Sequence, residues 1–141
     1  MLNIDPRHHL DTQTLAVGAV AAIRRAAAEE VGRGLDNVFF ASAGGVALLT
    51  YPAARLLQQR STLPVFIERA AELTAADNAN LGPRSLVVLC SVSGTTKEAV
   101  ALQAFAQAKG ARVMAFTGTQ GTRLAELSDI NIAAPAADYT S

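Results

Sequence analysis

The stretch Ser85-Leu-Val-Val-Leu-Cys90 constrains this chain more than any other. It is a continuous apolar run rather than an alternating one, the pattern of a strand buried on both faces. Such strands belong to parallel sheets covered by helices above and below. The run passes directly into Ser91-Val-Ser-Gly-Thr-Thr-Lys-Glu98, a small, hydroxyl-rich turn that opens a helix.

Strand, turn and helix recur along the chain. Residues 12–31 place Ala, Leu, Val and Ile at helical spacing, with Asp11 as N-cap and Gly32 and Gly34 as the stop. Residues 37–41 (Asn-Val-Phe-Phe-Ala) read as a short apolar strand running into Ser42-Ala-Gly-Gly45, followed by a helix over 46–59. Residues 63–67 give a second strand, whose Pro64 suits a sheet edge or a strand's first residues. Beyond the strand at 85–90, Thr95-Thr-Lys-Glu98 has the spacing of a capping box, opening a helix that runs to Lys109 and stops at Gly110. A fourth strand over 112–116, the loop Thr117-Gly-Thr-Gln-Gly121, a short helix over 122–127, a last strand over 130–133 and a polar tail from Ala137 complete the chain.

This alternation predicts an α/β domain, a three-layer α-β-α sandwich built on a five-stranded, mainly parallel sheet. The most central strands are those at 37–41 and 85–90. With right-handed crossovers, the order becomes 2-1-3-4-5, flavodoxin-like, and its switch point falls between the first and third strands. Two small-residue turns, 42–45 and 91–96, then meet at the crevice where such sheets hold ligands.

Composition removes several functions. Twelve cations balance twelve anions, so no basic face marks the chain as a nucleic-acid binder by itself. The single Cys90 supplies neither a disulfide framework nor a structural zinc site. No metal or organic cofactor is implied. No apolar run approaches the length of a membrane span, and the opening Met1-Leu-Asn-Ile-Asp-Pro-Arg-His-His lacks a signal pattern, which makes the cytoplasm the default compartment.

The 91–96 turn has the chemistry a phosphate needs. Hydroxyls of Ser91, Ser93, Thr95 and Thr96 are donors, Gly94 lets the backbone approach, and the first amides of the following helix point the same way. The lysine of a nucleotide P-loop is missing, and Lys97 reads as a solvent-facing residue. Ser and Thr also gather at helix starts as caps, so the hydroxyls alone leave both roles open. The loops hold no acidic cluster, which sets aside a receiver-type site.

The motif Ser91-Val-Ser-Gly-Thr-Thr-Lys-Glu98 resembles the S-x-S-G-x-T-x-[ED] loop of SIS (sugar isomerase) domains. These occur in glucosamine-fructose-6-phosphate aminotransferase, arabinose-5-phosphate isomerase and fructosamine-6-phosphate deglycases. The resemblance covers most of the chain: residues 37–45 match the family's first strand and glycine turn, and Ala71-Glu72-Leu73 stands where a Ser-Glu-Phe is common. It implies that Ser91, Ser93 and Thr96 contact a sugar phosphate, helped by Gly94 and Thr95 and by Ser42, Gly44 and Gly45 of the first turn. Two departures stand out. The first turn reads Ala43-Gly44-Gly45 instead of ending in a serine, leaving Ser42 as the substitute, and Val92 replaces the glutamine frequent in the aminotransferase branch. Both point away from that branch, while Met1-Leu-Asn-Ile-Asp and the Tyr51-Pro52 helix look more like the deglycase group.

The resemblance implies the first lobe of a longer two-lobed protein, an isomerase or deglycase acting on amino-sugar or fructosamine 6-phosphates. The alternative it implies is a phosphosugar-sensing effector domain of a transcription regulator, although no helix-turn-helix precedes the domain. The enzyme reading needs a group to move a proton between C1 and C2. Glu72 is the leading candidate. Glu98 reads first as the capping-box partner, His8-His9 as part of a terminal segment, and Cys90 as core. The helix over 12–31 is too apolar for a solvated face and is expected to pack on its own sheet or on a second copy, giving a homodimer.

Overall fold

The computed structural model describes residues 5–134. Five strands form one sheet: β1 (Asn37–Ser42), β2 (Val65–Arg69), β3 (Ser85–Ser91), β4 (Arg112–Thr117) and β5 (Ile130–Ala133). Their order is β2-β1-β3-β4-β5, as expected, and every pairing is parallel. α2 (Val20–Gly32) and α3 (Val46–Arg60) cover one face of the sheet; α4 (Ala70–Ala76), α5 (Lys97–Ala108) and α6 (Arg123–Leu127) cover the other. The helix α1 (Pro6–Gly18) precedes them and buries Thr12 alone.

The two-residue period of the strands divides the core. Phe39, Ala41, Val87, Leu89, Val113 and Ala115 point to the α4–α6 side, against Leu73, Leu102 and Leu124. Val38, Leu86, Val88 and Met114 point to the other side, against Ala26 of α2. Each strand in the middle of the sheet is therefore apolar at successive positions, because both faces are dry. On the edge, Phe66 of β2 stacks on Phe39 with ring centroids 4.6 Å apart.

Three sequence expectations need correction. The helix expected over 12–31 is two helices, α1 and α2, joined at Ala19. It begins at Asp5 rather than Asp11, because the Asp5 carboxylate accepts the Arg7 and His8 amides and Pro6 occupies the first helical position. His8 and His9 thus lie in the first turn of a helix. Second, β2 starts at Val65: Pro64 has no amide for the ladder, and only its carbonyl takes part, accepting from Val38 N–H at 3.0 Å. Third, the capping box is not formed. α5 starts at Lys97 with Thr96 as N-cap and no side-chain cap bond, for a reason given with the site below. The opening Met1-Leu-Asn-Ile and the tail from Ala137 lie outside the described residues.

At the amino-terminal edge of the sheet, Glu30 of α2 is 1 % exposed. Both its oxygens accept from Arg112 Nε, at 3.0 and 2.8 Å, and Arg33 lies 3.5 Å away. Arg112 also reaches Asp129, whose other oxygen accepts the Val113 amide at 2.8 Å. The hydrogen bond to Glu30 raises the Arg112 pKa against the opposing effect of burial, and the charges of Glu30 and Asp129 add to the rise. Removing the guanidinium strands a buried carboxylate. Arg112→Ala is expected to lower unfolding stability by about 3 kcal/mol in urea titration; a loss below about 0.5 kcal/mol would mean that Arg33 and water satisfy Glu30 without it.

Candidate functional site

All five strands end at the same edge, so the turns that follow them crowd together. The turn after β3 carries the richest chemistry. Ser91 closes the strand, paired in register with Thr117 of β4. Its Oγ accepts from Gly94 N–H at 3.1 Å and lies 3.0 Å from Thr96 Oγ1, with which it shares a hydrogen bond. Gly94 adopts φ +65°, the left-handed region that glycine tolerates and which folds the chain back for these contacts. Thr95 turns outward, donating from both its amide and its hydroxyl to Ser93 Oγ at 3.2 and 3.1 Å.

This arrangement explains the missing capping box. Thr95 is committed to Ser93 and Thr96 to Ser91, so neither hydroxyl caps α5. The first helical bond runs from Val100 N–H to Thr96 O at 3.0 Å, which leaves the first-turn amides of α5 without partners inside the helix. Glu98 stands exposed in that turn, as does Lys97. The outcome is an exposed pair of hydroxyls, Ser93 and Thr95, beside the positive end of a helix dipole. Such a site can take an anion that accepts several hydrogen bonds at once.

The other residues singled out from sequence fall in two places. Ser42 is buried at the end of β1, its Oγ accepting the Cys90 amide at 3.3 Å; it ties β1 to β3. Gly44, Gly45 and Glu72 line one open depression of about 490 Å³ with Tyr51 and Arg69. Glu72 is exposed in the first turn of α4, 4.0 Å from Arg69. Ser91 lines a different hollow of about 220 Å³ with Val92, Thr50, Cys90, Thr117 and Gly118. The turn after β1 separates the two hollows in the sheet order, so Glu72 and Ser91 share no cavity.

Cys90 is half-buried beside the loop, and burial pushes its thiol up to about 11 despite the Ser42 hydrogen bond. At pH 8 its thiolate fraction should be about a hundredfold below that of an ordinary cysteine, and alkylation by iodoacetamide correspondingly slow. Labelling at the rate of a free thiol would show that the pocket opens.

Sequence reasoning missed the turn after β4. Gly118 and Thr122 both touch the 91–96 loop. The signal was present in the run Thr117-Gly-Thr-Gln-Gly-Thr122, small and hydroxyl-rich like the first loop and also at a strand's carboxyl end. Among the described residues, no group of three or more His, Cys, Asp or Glu side chains is placed to hold a metal, and no helix is long and apolar enough to cross a membrane.

The sequence model of the SIS domain matches residues 35–140. The chain belongs to the SIS-domain family. This SIS domain is 36 % identical over 96 residues to fructosamine deglycase FrlB of Bacillus subtilis (strain 168), covering 67 % of this chain and 29 % of that protein. Among solved structures, a candidate phosphosugar isomerase from Bacillus subtilis superposes with a TM-score of 0.71 at 33 % identity, over 74 % of this chain and 32 % of that one. Tagatose-6-phosphate ketose/aldose isomerase from Escherichia coli shares the fold, with a TM-score of 0.73 at 19 % identity, over 95 % of this chain and 39 % of that one. The SIS domain thus spans about a third of the length of the deglycase and of the Bacillus subtilis isomerase candidate.

Proposed function

We propose that this SIS domain binds the phosphate of a phosphorylated sugar, an amino-sugar or fructosamine 6-phosphate, and forms the first lobe of a two-lobed isomerase or deglycase. The observation that carries this reading is the 91–96 loop, where outward hydroxyls of Ser93 and Thr95 lie beside the uncapped start of α5. Thr96 and Gly94 complete the set and Ser91 shapes it from inside, while Gly44 and Gly45 line the neighbouring depression. The similarity to a deglycase and to a phosphosugar isomerase candidate supports an enzyme lobe over a sensor module.

In this reading the loop anchors one end of the substrate while proton transfer takes place at C1 and C2. Of the carboxylates weighed from sequence, Glu98 stands exposed in the first turn of α5, just past the loop, and Glu72 lines the other hollow. The proposal places the acid–base pair in a part of the enzyme beyond this lobe. A cytoplasmic setting goes with the proposal, because doubly charged sugar phosphates do not cross a bilayer unaided.

Calorimetric titration with a panel of sugar 6-phosphates tests the reading directly. Saturable binding is expected for phosphorylated sugars alone, weakened about tenfold or more in Ser93→Ala and in Thr96→Ala, the cost of a hydrogen bond to a charged group. No heat from any phosphosugar, with the fold intact by circular dichroism, would reduce the loop to a helix start.

The homodimer belongs to the same proposal. Leu10, Leu15 and Val17 of α1 and Val20 and Val31 of α2 are all exposed, apolar surface that two-fold pairing would cover. Light scattering at high micromolar concentration should give twice the chain mass; a monodisperse monomer would remove the dimer from the proposal.

A further inference from the structure

We infer that Gly118 and Thr122, in the turn between β4 and α6, are positioning residues that set the shape of the 91–96 loop. The phosphate consequence rests on the function proposed above; the assignment itself rests on contacts. Gly118 N–H donates to Val92 O at 3.0 Å, continuing the β3–β4 ladder one step beyond Ser91 and Thr117. Leu124 N–H, at the start of α6, donates to Gly94 O at 3.3 Å. The carbonyls on either side of Ser93 are thus both held by the same turn. Ser93 has nowhere to go but outward.

Close packing fixes the two contacts. A Cβ on Gly118 would fall 2.8 Å from Val92 O and 3.1 Å from Val92 Cγ1. A Cβ on Gly94 would fall 2.1 Å from Thr122 Oγ1 and 2.7 Å from Thr122 Cβ. The Thr122 side chain therefore fills the space in front of the Gly94 α-carbon and walls the loop into its left-handed turn. Thr122 is itself held, its Oγ1 accepting the Ala125 amide at 3.4 Å as the N-cap of α6. The next residue but one, Leu124, anchors that helix in the core with no exposed surface. The chain of support runs from the core through Leu124 and Thr122 to Gly94, and from β4 through Gly118 to Val92. A loop held this way presents its hydroxyls already ordered, so an arriving anion does not bear the entropy of ordering them.

The test compares Gly118→Ala, Thr122→Ala, Thr122→Ser and, as a destabilised control far from the loop, Arg112→Ala. Amide hydrogen exchange of Gly94 and Thr95 is read on the ligand-free protein, and affinity is read with the sugar 6-phosphate that the wild type binds and with inorganic phosphate. Gly118→Ala and Thr122→Ala are expected to speed both amides and to weaken phosphate binding by about tenfold each, the scale of one displaced charge-assisted hydrogen bond. Thr122→Ser, which keeps the oxygen and the cap, should restore both readings towards wild type, and Arg112→Ala should change neither. Unchanged exchange in both variants overturns the assignment. Faster exchange with unaltered affinity also overturns it, because the turn would then order the loop without consequence for binding. A wild type that binds no sugar phosphate, with exchange accelerated as stated, sinks the proposed function and leaves the assignment of the turn supported.

Discussion

The site depends on β3 being paired on both sides by parallel strands. Cys90 lies level with Ser42 of β1, and Ser91 level with Thr117 of β4. Because all the strands run the same way, each delivers its following turn to one edge, and the turns after β1, β3 and β4 become neighbours. An antiparallel partner at either side would have sent its turn to the opposite edge. The apolar run of β3 is what makes this central position favourable, since burial on two faces removes more apolar surface from water than an edge strand can.

The two edges of the sheet do different work. At the amino-terminal edge, Glu30, Arg112 and Asp129 join α2, β4 and the start of β5 through charges with buried partners. At the carboxyl edge the polar groups are smaller and partly exposed: Ser93, Thr95 and the first amides of α5. A charge network anchored on one buried carboxylate resists rearrangement, whereas exposed hydroxyls can exchange water for a ligand. Rigidity at one end and availability at the other suit the anion-binding role proposed for the loop.

Much of this was legible in the chain itself. The unbroken apolarity of residues 85–90, the small-residue turns at strand ends and the alternation of strand and helix patterns led to the sheet order and to the loop. The local signals failed where two readings share one pattern. Asp5 and Asp11 both precede helical sequence, and Pro6 decides between them. Thr95 has the spacing of a capping-box residue, yet α5 starts after Thr96, because both threonine hydroxyls are taken up inside the loop by Ser93 and Ser91. Ser42 resembled a ligand residue by its place in the turn, yet strand pairing carries its hydroxyl to the Cys90 amide.

The sequence by itself determined the kind of fold and the site's chemical character, because periodicity, glycine and hydroxyl side chains act over a few residues. Only the tertiary structure decided how that chemistry is held. Glu30 and Arg112 are 82 residues apart in the chain, and the turn that grips Val92 and Gly94 belongs to the next strand–helix unit. Contacts of that span leave no periodic trace, since they exist only after the strands have settled into register and fixed which turns stand side by side.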